Sequence, residues 1–287
     1  MDPLILSSSI VENFIAPRKS TSRKGENGIV LVVGGSYIYH GAPILSSLAA
    51  LRTGTDLVYT CVPKINVAST RSVSPNLIVI PLVDQKLTLG AVKKLVGALP
   101  RNLHSATIGM GLAIQEKNSL LHLVKSLLDR DVRLSLDASA LIPEILPILT
   151  NKNVVVTPHA GEFKRLFGDI PSNSISERIE LVKQNASKYG VTILLKGPTD
   201  VISDGNMTYL CKKNTPAMTV GGTGDVLSGL VAGLLATNRN CLESAATASF
   251  ICGLAGKEIQ DKLGLHMTSM DLLDCIPFVM KPFDKII

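Results

Sequence analysis

No tryptophan occurs in the 287 residues, and aromatic side chains of all kinds amount to 4%. That scarcity argues against a nucleic-acid reader, which stacks bases on aromatic rings inside a basic groove. Lys and Arg exceed Asp and Glu by 6, but they are scattered, and the densest basic stretch, RKSTSRK (18–24), reads as a solvated segment. A nucleotide-sized anion suits such a surface better than a polymer. The five cysteines, Cys61, Cys211, Cys241, Cys252 and Cys275, form no C-x-x-C and lie at no His-rich spacing. A zinc site is therefore not expected, and a reducing cytoplasmic setting suits the pattern.

Long apolar runs are also missing. The longest apolar helical stretch, 226–237, falls short of the roughly 20 residues a spanning helix needs. Met1-Asp2-Pro3 places an acid where a signal peptide would be basic, so a cytoplasmic protein without membrane contact is expected. The familiar nucleotide and hydrolase fingerprints fail as well. There is no G-x-x-x-x-G-K-[ST], no H-E-x-x-H and no G-x-S-x-G, and GMGLAI (109–114) carries Ile114 where a dinucleotide fingerprint needs its third glycine.

What is present is an apolar chain, 46% hydrophobic, which supports a large core rather than disorder. Short β-branched runs lie at 29–35, 56–62, 77–82, 105–110, 133–138, 154–158 and 191–197. Between them come helical patterns at 42–54, 88–99, 117–130 and 176–190. Near-continuous apolar strands alternating with helices predict an α/β fold, a mostly parallel sheet covered on both faces. Asp204-Gly205 signals a hairpin within 201–212, and after residue 223 the pattern is nearly all helix. No linker divides the chain, so one domain is expected over 28–287, with 1–27 as an N-terminal extension that packs on it or forms an intersubunit contact.

In open parallel sheets ligands gather beyond the C-terminal strand ends. Gly34-Gly35-Ser36, Gly109-Met110-Gly111, Asp137-Ala138-Ser139, Thr157-Pro158-His159 and Lys196-Gly197 all follow predicted strands. The stretch VGGTGDVLSG (220–229) joins that rim if the last helices pack beside the sheet. A glycine-rich turn feeding a helix offers unpaired N–H groups and the positive end of the helix dipole, which together hold an anion. Gly222, Thr223 and Gly224 would supply that hole. Asp225 reads either as a helix cap or as the group that orients a hydroxyl attacking a phosphate. An unperturbed carboxylate titrates near 3.9, and the helix start is expected to keep Asp225 ionised.

GGTGD before an apolar helix resembles the closing signature of the ribokinase-like superfamily. Within it, the chain is similar to the ADP/ATP-dependent NAD(P)H-hydrate dehydratases. The resemblance rests on KGENGIVLVVGGSYIYHGAPILSSLAALRTG (24–54), VVTPHAGEFKRLFG (155–168), ILLKGPTDVISDG (193–205) and MTVGGTGDVLSGLVAGLLA (218–236). It implies a ribokinase-like fold and ADP- or ATP-dependent dehydration of (6S)-hydrated NADH or NADPH. The ring hydroxyl is phosphorylated and phosphate is then eliminated, because a phosphate ester leaves where hydroxide does not. Mg²⁺ and a homo-oligomer, a tetramer, are implied too.

Carried over by motif, the resemblance makes Asp225 the base and Gly224 part of both the anion hole and the AMP contact. Lys196, Gly197, Pro198, Thr199 and Asp200 become the adenine-nucleotide segment. Ala42, Gly111 and His159, with Asp225, would contact the hydrated dinucleotide, and Glu162 would organise Mg²⁺ through water. Plainer readings stand beside these: Ala42 as helix packing, His159 as a helix cap, Glu162 as a first-turn acid, Lys196 as a surface lysine. Gly229 and Gly233 read as close helix packing.

Three motifs depart from the family pattern. Gly109-Met110-Gly111-Leu112-Ala113 replaces G-P-G-L-G, Asp137-Ala138-Ser139 replaces D-A-D, and Thr199 precedes Asp200 where K-G-x-D-T is usual. Many family members carry an N-terminal epimerase domain, and no epimerisation is expected of this chain. The rival within the superfamily is an alcohol kinase similar to hydroxyethylthiazole kinases. A rival of another class is a catalytically silent nucleotide sensor.

Overall fold

The computed structural model describes residues 2–213 and 215–287. Along the chain come β1 (Leu4–Ile5), α1 (Ser8–Phe14), β2 (Ile29–Val33), α2 (Gly41–Arg52), β3 (Leu57–Pro63), α3 (Val67–Val73) and β4 (Leu77–Leu82). Next are α4 (Leu89–Ala98), β5 (Ser105–Ile108), α5 (Lys117–Leu128), β6 (Arg133–Leu136), α6 (Leu146–Leu149) and β7 (Val154–Val156). Then follow α7 (Ala160–Phe167), α8 (Ile175–Tyr189), β8 (Thr192–Leu195), β9 (Thr199–Ser203) and β10 (Thr208–Lys212). The chain closes with α9 (Thr223–Thr237), α10 (Cys241–Leu263) and α11 (Ser269–Met280).

One ten-stranded sheet runs in the order β1-β10-β9-β8-β7-β6-β5-β2-β3-β4. The strands from β8 to β4 in that order are parallel, and the hairpin β9–β10 adds antiparallel pairs at one side. The predicted mostly parallel α/β sheet is thus observed. Every residue of β2 is buried, as a strand covered on both faces requires. One core cluster packs α4, α5, α7 and α8 against one face, through residues such as Leu123, Leu127, Phe163 and Val182. A second lies under α9, α10 and α11, through Leu230, Ile251 and Leu272, and a third, smaller one joins α2 and α9 to β2 and β3 through Ala50, Ala232 and Val30.

Residues 2–27 are woven into this architecture. β1 pairs in parallel with the outer edge of β10, and Leu6 and Val11 are buried against the α9–α10 side. No alternating pattern marks this strand in the sequence, because two residues are too few to show a period.

α2 and α9 approach closely. A Cβ on Gly229 would strike the backbone of Ser46, and one on Gly233 would strike Thr53, so both positions exclude side chains. This contact sets where α9 begins. The chain runs from β2 outward to β3 and β4, then returns to β5 on the other side of β2. The β2–β5 boundary is therefore the topological switch point, where open α/β sheets bind ligands.

Candidate active site

At the switch point the backbones nearly touch. Gly35 N–H donates to Met110 O (2.9 Å), and a Cβ on Gly34 would lie 2.6 Å from that same oxygen. Gly111 has φ +63°, and a Cβ there would lie 3.3 Å from Ala42 Cβ and 2.7 Å from Tyr39 Cβ. Ala42, in the first turn of α2, and Gly111, after β5, are thereby neighbours on the rim.

α9 begins beside them. Gly222, its N-cap, has φ +95°, and a Cβ there would lie 2.7 Å from both Leu45 Cδ1 and Ser269 Oγ. Only glycine meets both constraints. Among the described residues no side chain caps this helix, which leaves its first-turn N–H groups available to a ligand. Thr223 uses its hydroxyl inward, donating to Met218 O (3.0 Å) and fastening the preceding loop to the helix. Gly224 faces Lys196, whose Nζ would be 3.6 Å from a Cβ at 224. A side chain at 224 would stand between the helix start and the ammonium.

Asp225 is the third residue of α9, and its backbone carbonyl accepts from Ser46 Oγ (2.7 Å), which locks it to α2. Its carboxyl departs from expectation. Burial, then the negative charge of Asp137, raises its pKa to about 7; Lys196 pulls it down and Glu162 adds to the rise. Two neighbouring acids and desolvation thus outweigh the helix dipole that was expected to keep it ionised.

Lys196, just past β8, joins these acids. Its Nζ lies 2.9 Å from Asp137 Oδ1 and 3.5 Å from Glu162 Oε2. Burial lowers the lysine pKa, but Asp137 and Glu162 outweigh it, so the ammonium is held above its ordinary value. Thr157 Oγ1 also donates to Asp137 Oδ1 (2.9 Å), fixing that carboxylate. The sequence placed Asp137 on the rim without giving it a partner; the contact with Lys196 spans three strands and has no local signal.

His159 is the N-cap of α7. Its Nδ1 accepts from the N–H groups of Gly161 (3.0 Å) and Glu162 (3.2 Å), while Glu162 Oε2 accepts from His159 N–H (2.9 Å). That reciprocal pair is a capping box. The plainer reading of His159 is thus observed on Nδ1, and Nε2 lies on the side facing Glu162 Oε1 (3.5 Å). Glu162 is both a first-turn acid and a partner of Lys196.

A cavity of about 720 Å³ opens on the outer side of Lys196 and Gly224. Gly197 and Thr223 line its polar end, and Pro198, Pro216, Met218 and Leu227 give it an apolar wall. Asp200 reaches the cavity from within β9, but Thr199 does not line it and pairs with Lys212 in the hairpin instead. Lys213 and Cys252 complete the floor; neither stood out in the sequence. A larger groove, about 1020 Å³, lies between α1, α10 and α11, but none of the rim residues reaches it.

The arrangement is that of a phosphoryl-transfer site: an uncapped helix start, a buried lysine, and a carboxylate able to take a proton near neutral pH. A sequence model described as NAD(P)H-hydrate dehydratase matches residues 30–278. The chain is 80% identical over 281 residues to an ADP-dependent (S)-NAD(P)H-hydrate dehydratase of Nitrosopumilus maritimus, covering 98% of each. It is 63% identical to a protein of the same description from Cenarchaeum symbiosum, covering 96% of each. Among solved structures, the ADP/ATP-dependent NAD(P)H-hydrate dehydratase of Bacillus subtilis, co-crystallised with ATP and Mg²⁺, superposes with a TM-score of 0.84 at 28% identity, over 99% of this chain and all of that one. The chain belongs to the NAD(P)H-hydrate dehydratase family, with a ribokinase-like fold.

Proposed function

We propose that this protein is an ADP-dependent lyase that dehydrates (6S)-hydrated NADH and NADPH, restoring the intact cofactors. The observation that carries this reading is the elevated Asp225 carboxyl at an uncapped, glycine-lined helix start facing Lys196. The identity to relatives described as ADP-dependent supports ADP as the donor.

In this reading the adenine nucleotide occupies the cavity beside Lys196–Asp200, with its base against the apolar wall of Pro198, Pro216, Met218 and Leu227. Its phosphates lie between the N–H groups of Gly222, Thr223 and Gly224 and the Lys196 ammonium. The hydrated dinucleotide lies at the switch point against Ala42 and Gly111, with His159 at the far side. Asp225 faces the ring hydroxyl and takes its proton as the hydroxyl oxygen attacks the β-phosphorus. The bond to the bridging oxygen breaks, and AMP leaves with the electron pair. The carbon–oxygen bond of the ring then breaks with phosphate carrying its electrons, and the neighbouring ring carbon gives up a proton to the departing phosphate as the double bond is restored. A carboxylate with pKa about 7 is well matched to proton transfer near neutrality.

Among the described residues, no group of three or more His, Cys, Asp or Glu side chains gathers to hold a metal. Mg²⁺ does not need one, since it keeps several waters and binds through one or two carboxylates plus substrate phosphates. Asp137 and Glu162, converging on Lys196, fit that role, with Glu162 acting through water. The ion would neutralise charge on the transferring phosphoryl group.

We place the enzyme in the cytoplasm as a homotetramer, a state light scattering would check. Support for self-association comes from the exposed apolar loop Tyr37, Ile38 and Tyr39, with relative exposures of 71%, 73% and 64%. Among the described residues no helix is long and apolar enough to cross a membrane. The test of function is recovery of dihydronicotinamide absorbance from hydrated NADH with Mg²⁺ and ADP. Recovery is expected; its absence alongside tight nucleotide binding would favour an alcohol kinase.

A further inference from the structure

The Lys196–Gly197 turn is held from several sides. Lys196 N–H donates to Pro158 O (2.8 Å), and Arg178 Nη2 donates to Lys196 O (3.1 Å). The third hold comes from beneath. Gly197 N–H donates to Asp200 Oδ1 (2.9 Å), while the other oxygen of Asp200 accepts from Ser249 Oγ (2.7 Å) and lies 2.6 Å from Lys213 Nζ.

Asp200 is fully buried, as are the residues that follow it on both faces of β9, and its carboxylate meets Ser249 of α10. A carboxylate there must be paired and hydrogen-bonded to remain charged. Lys213, one residue beyond β10, supplies the charge, and its own N–H donates to Pro198 O (3.1 Å). Ser249, in the middle of α10, is fully buried and does not line the cavity. The Arg178 guanidinium also attracts Asp200 from the far side of the turn, and the thiols beside the pair are neutral, since burial pushes both Cys211 and Cys252 up to about 11.

We propose that Asp200, Lys213 and Ser249 form a buried clamp that sets the Lys196–Gly197 turn and thereby the affinity for ADP. They are positioning residues: both oxygens of Asp200 are spent on protein groups, so the carboxylate acts on the nucleotide only through the turn. The clamp joins three elements that have no other reason to share a charge, namely the β8–β9 turn, the end of β10 and α10. This inference rests on the assignment of the cavity to the adenine nucleotide.

Ser249→Ala is the cleanest probe, because the serine lies outside the cavity and its hydroxyl donates to Asp200. It is expected to raise both Kd and KM for ADP by about threefold to tenfold, with kcat and KM for hydrated NADH unchanged. Lys213→Met strands the Asp200 charge and is expected to raise ADP KM more than about tenfold. The double variant Asp200→Asn/Lys213→Met keeps an oxygen for Gly197 N–H and removes the stranded charge, so ADP KM is expected to return to within about threefold of wild type. It also provides a folded sample if Lys213→Met alone does not fold. An unchanged ADP KM in Ser249→Ala would overturn the clamp. A double variant as weak for ADP as Lys213→Met would overturn positioning in favour of direct contact by Lys213. Calorimetry of wild type with ADP separates the two layers: no ADP binding by wild type contradicts the nucleotide site itself, whereas binding by wild type that Ser249→Ala matches contradicts the clamp alone.

Discussion

At the scale of single residues, Asp225 carries the most consequence. Its carboxyl is poised by burial and by Asp137, then partly relieved by Lys196. If it is the base, kcat/KM rises with pH through about 7, and a pH–rate profile reads the limb directly. Lys196→Met removes the charge that pulls Asp225 down, so the same limb is expected to move to higher pH while ADP KM rises. A limb that stays put would separate the lysine from the carboxyl.

The same shift has a stability consequence. The folded state holds the Asp225 proton more tightly than the unfolded chain, whose carboxylate titrates near 3.8. The group therefore costs nothing below about pH 4 and progressively destabilises the fold as pH rises through about 7. A shift of this size corresponds to at most about 4 kcal/mol at pH 8. Asp225→Asn is expected to keep ADP binding and lose most turnover, about a thousandfold. Thermal melts should show it more stable than wild type at pH 8, with the gain vanishing toward pH 4. An equal melting temperature at pH 8 would contradict the buried-acid account.

At the scale of elements, the start of α9 is the part everything else is built around. Gly222→Ala forces a side chain into a left-handed conformation and against Leu45 and Ser269. We expect a loss of about 2 kcal/mol in stability and a larger loss of turnover than of ADP binding, read by denaturant melts beside steady-state kinetics. By contrast Gly221 has open space where a Cβ would go, so Gly221→Ala serves as the control.

Much of this element was legible in the chain. GGTGD before an apolar run announced an uncapped helix start, and each apolar strand announced its place in a parallel sheet, because both are local patterns of small or β-branched residues. His159 and Glu162 announced their helix start through three-residue spacing, and a capping box is what they form. The ion pairs were not legible. Lys196 reaches Asp137 across 59 positions of sequence, and Ser249 reaches Asp200 across 49. Nothing local marks such partners, and the raised carboxyl of Asp225 follows from them rather than from its own position. The N-terminal strand and helix escaped for the other reason, being too short to show a period.

Across the whole molecule, the sheet is buried on both faces beneath the rim. α1 covers part of α10, and Val11 within it is completely buried. Val11→Ala is expected to cost about 2 kcal/mol while leaving KM for ADP and for hydrated NADH unchanged, since Val11 does not line the nucleotide cavity and the β2–β5 switch point lies far along the sheet from β1. Chemical denaturation and steady-state kinetics of that variant check both halves of the statement.

The central claim is that this site uses ADP to turn a hydroxyl into a leaving group. The most direct measurement mixes wild type and Asp225→Asn separately with Mg²⁺, (6S)-hydrated NADH and ADP, and follows dihydronicotinamide absorbance together with AMP and phosphate. Wild type is expected to restore NADH, with AMP and phosphate released in step, and the variant almost none. Recovery without ADP, equal recovery by Asp225→Asn, or AMP released with a stable phosphorylated product in place of NADH would contradict it.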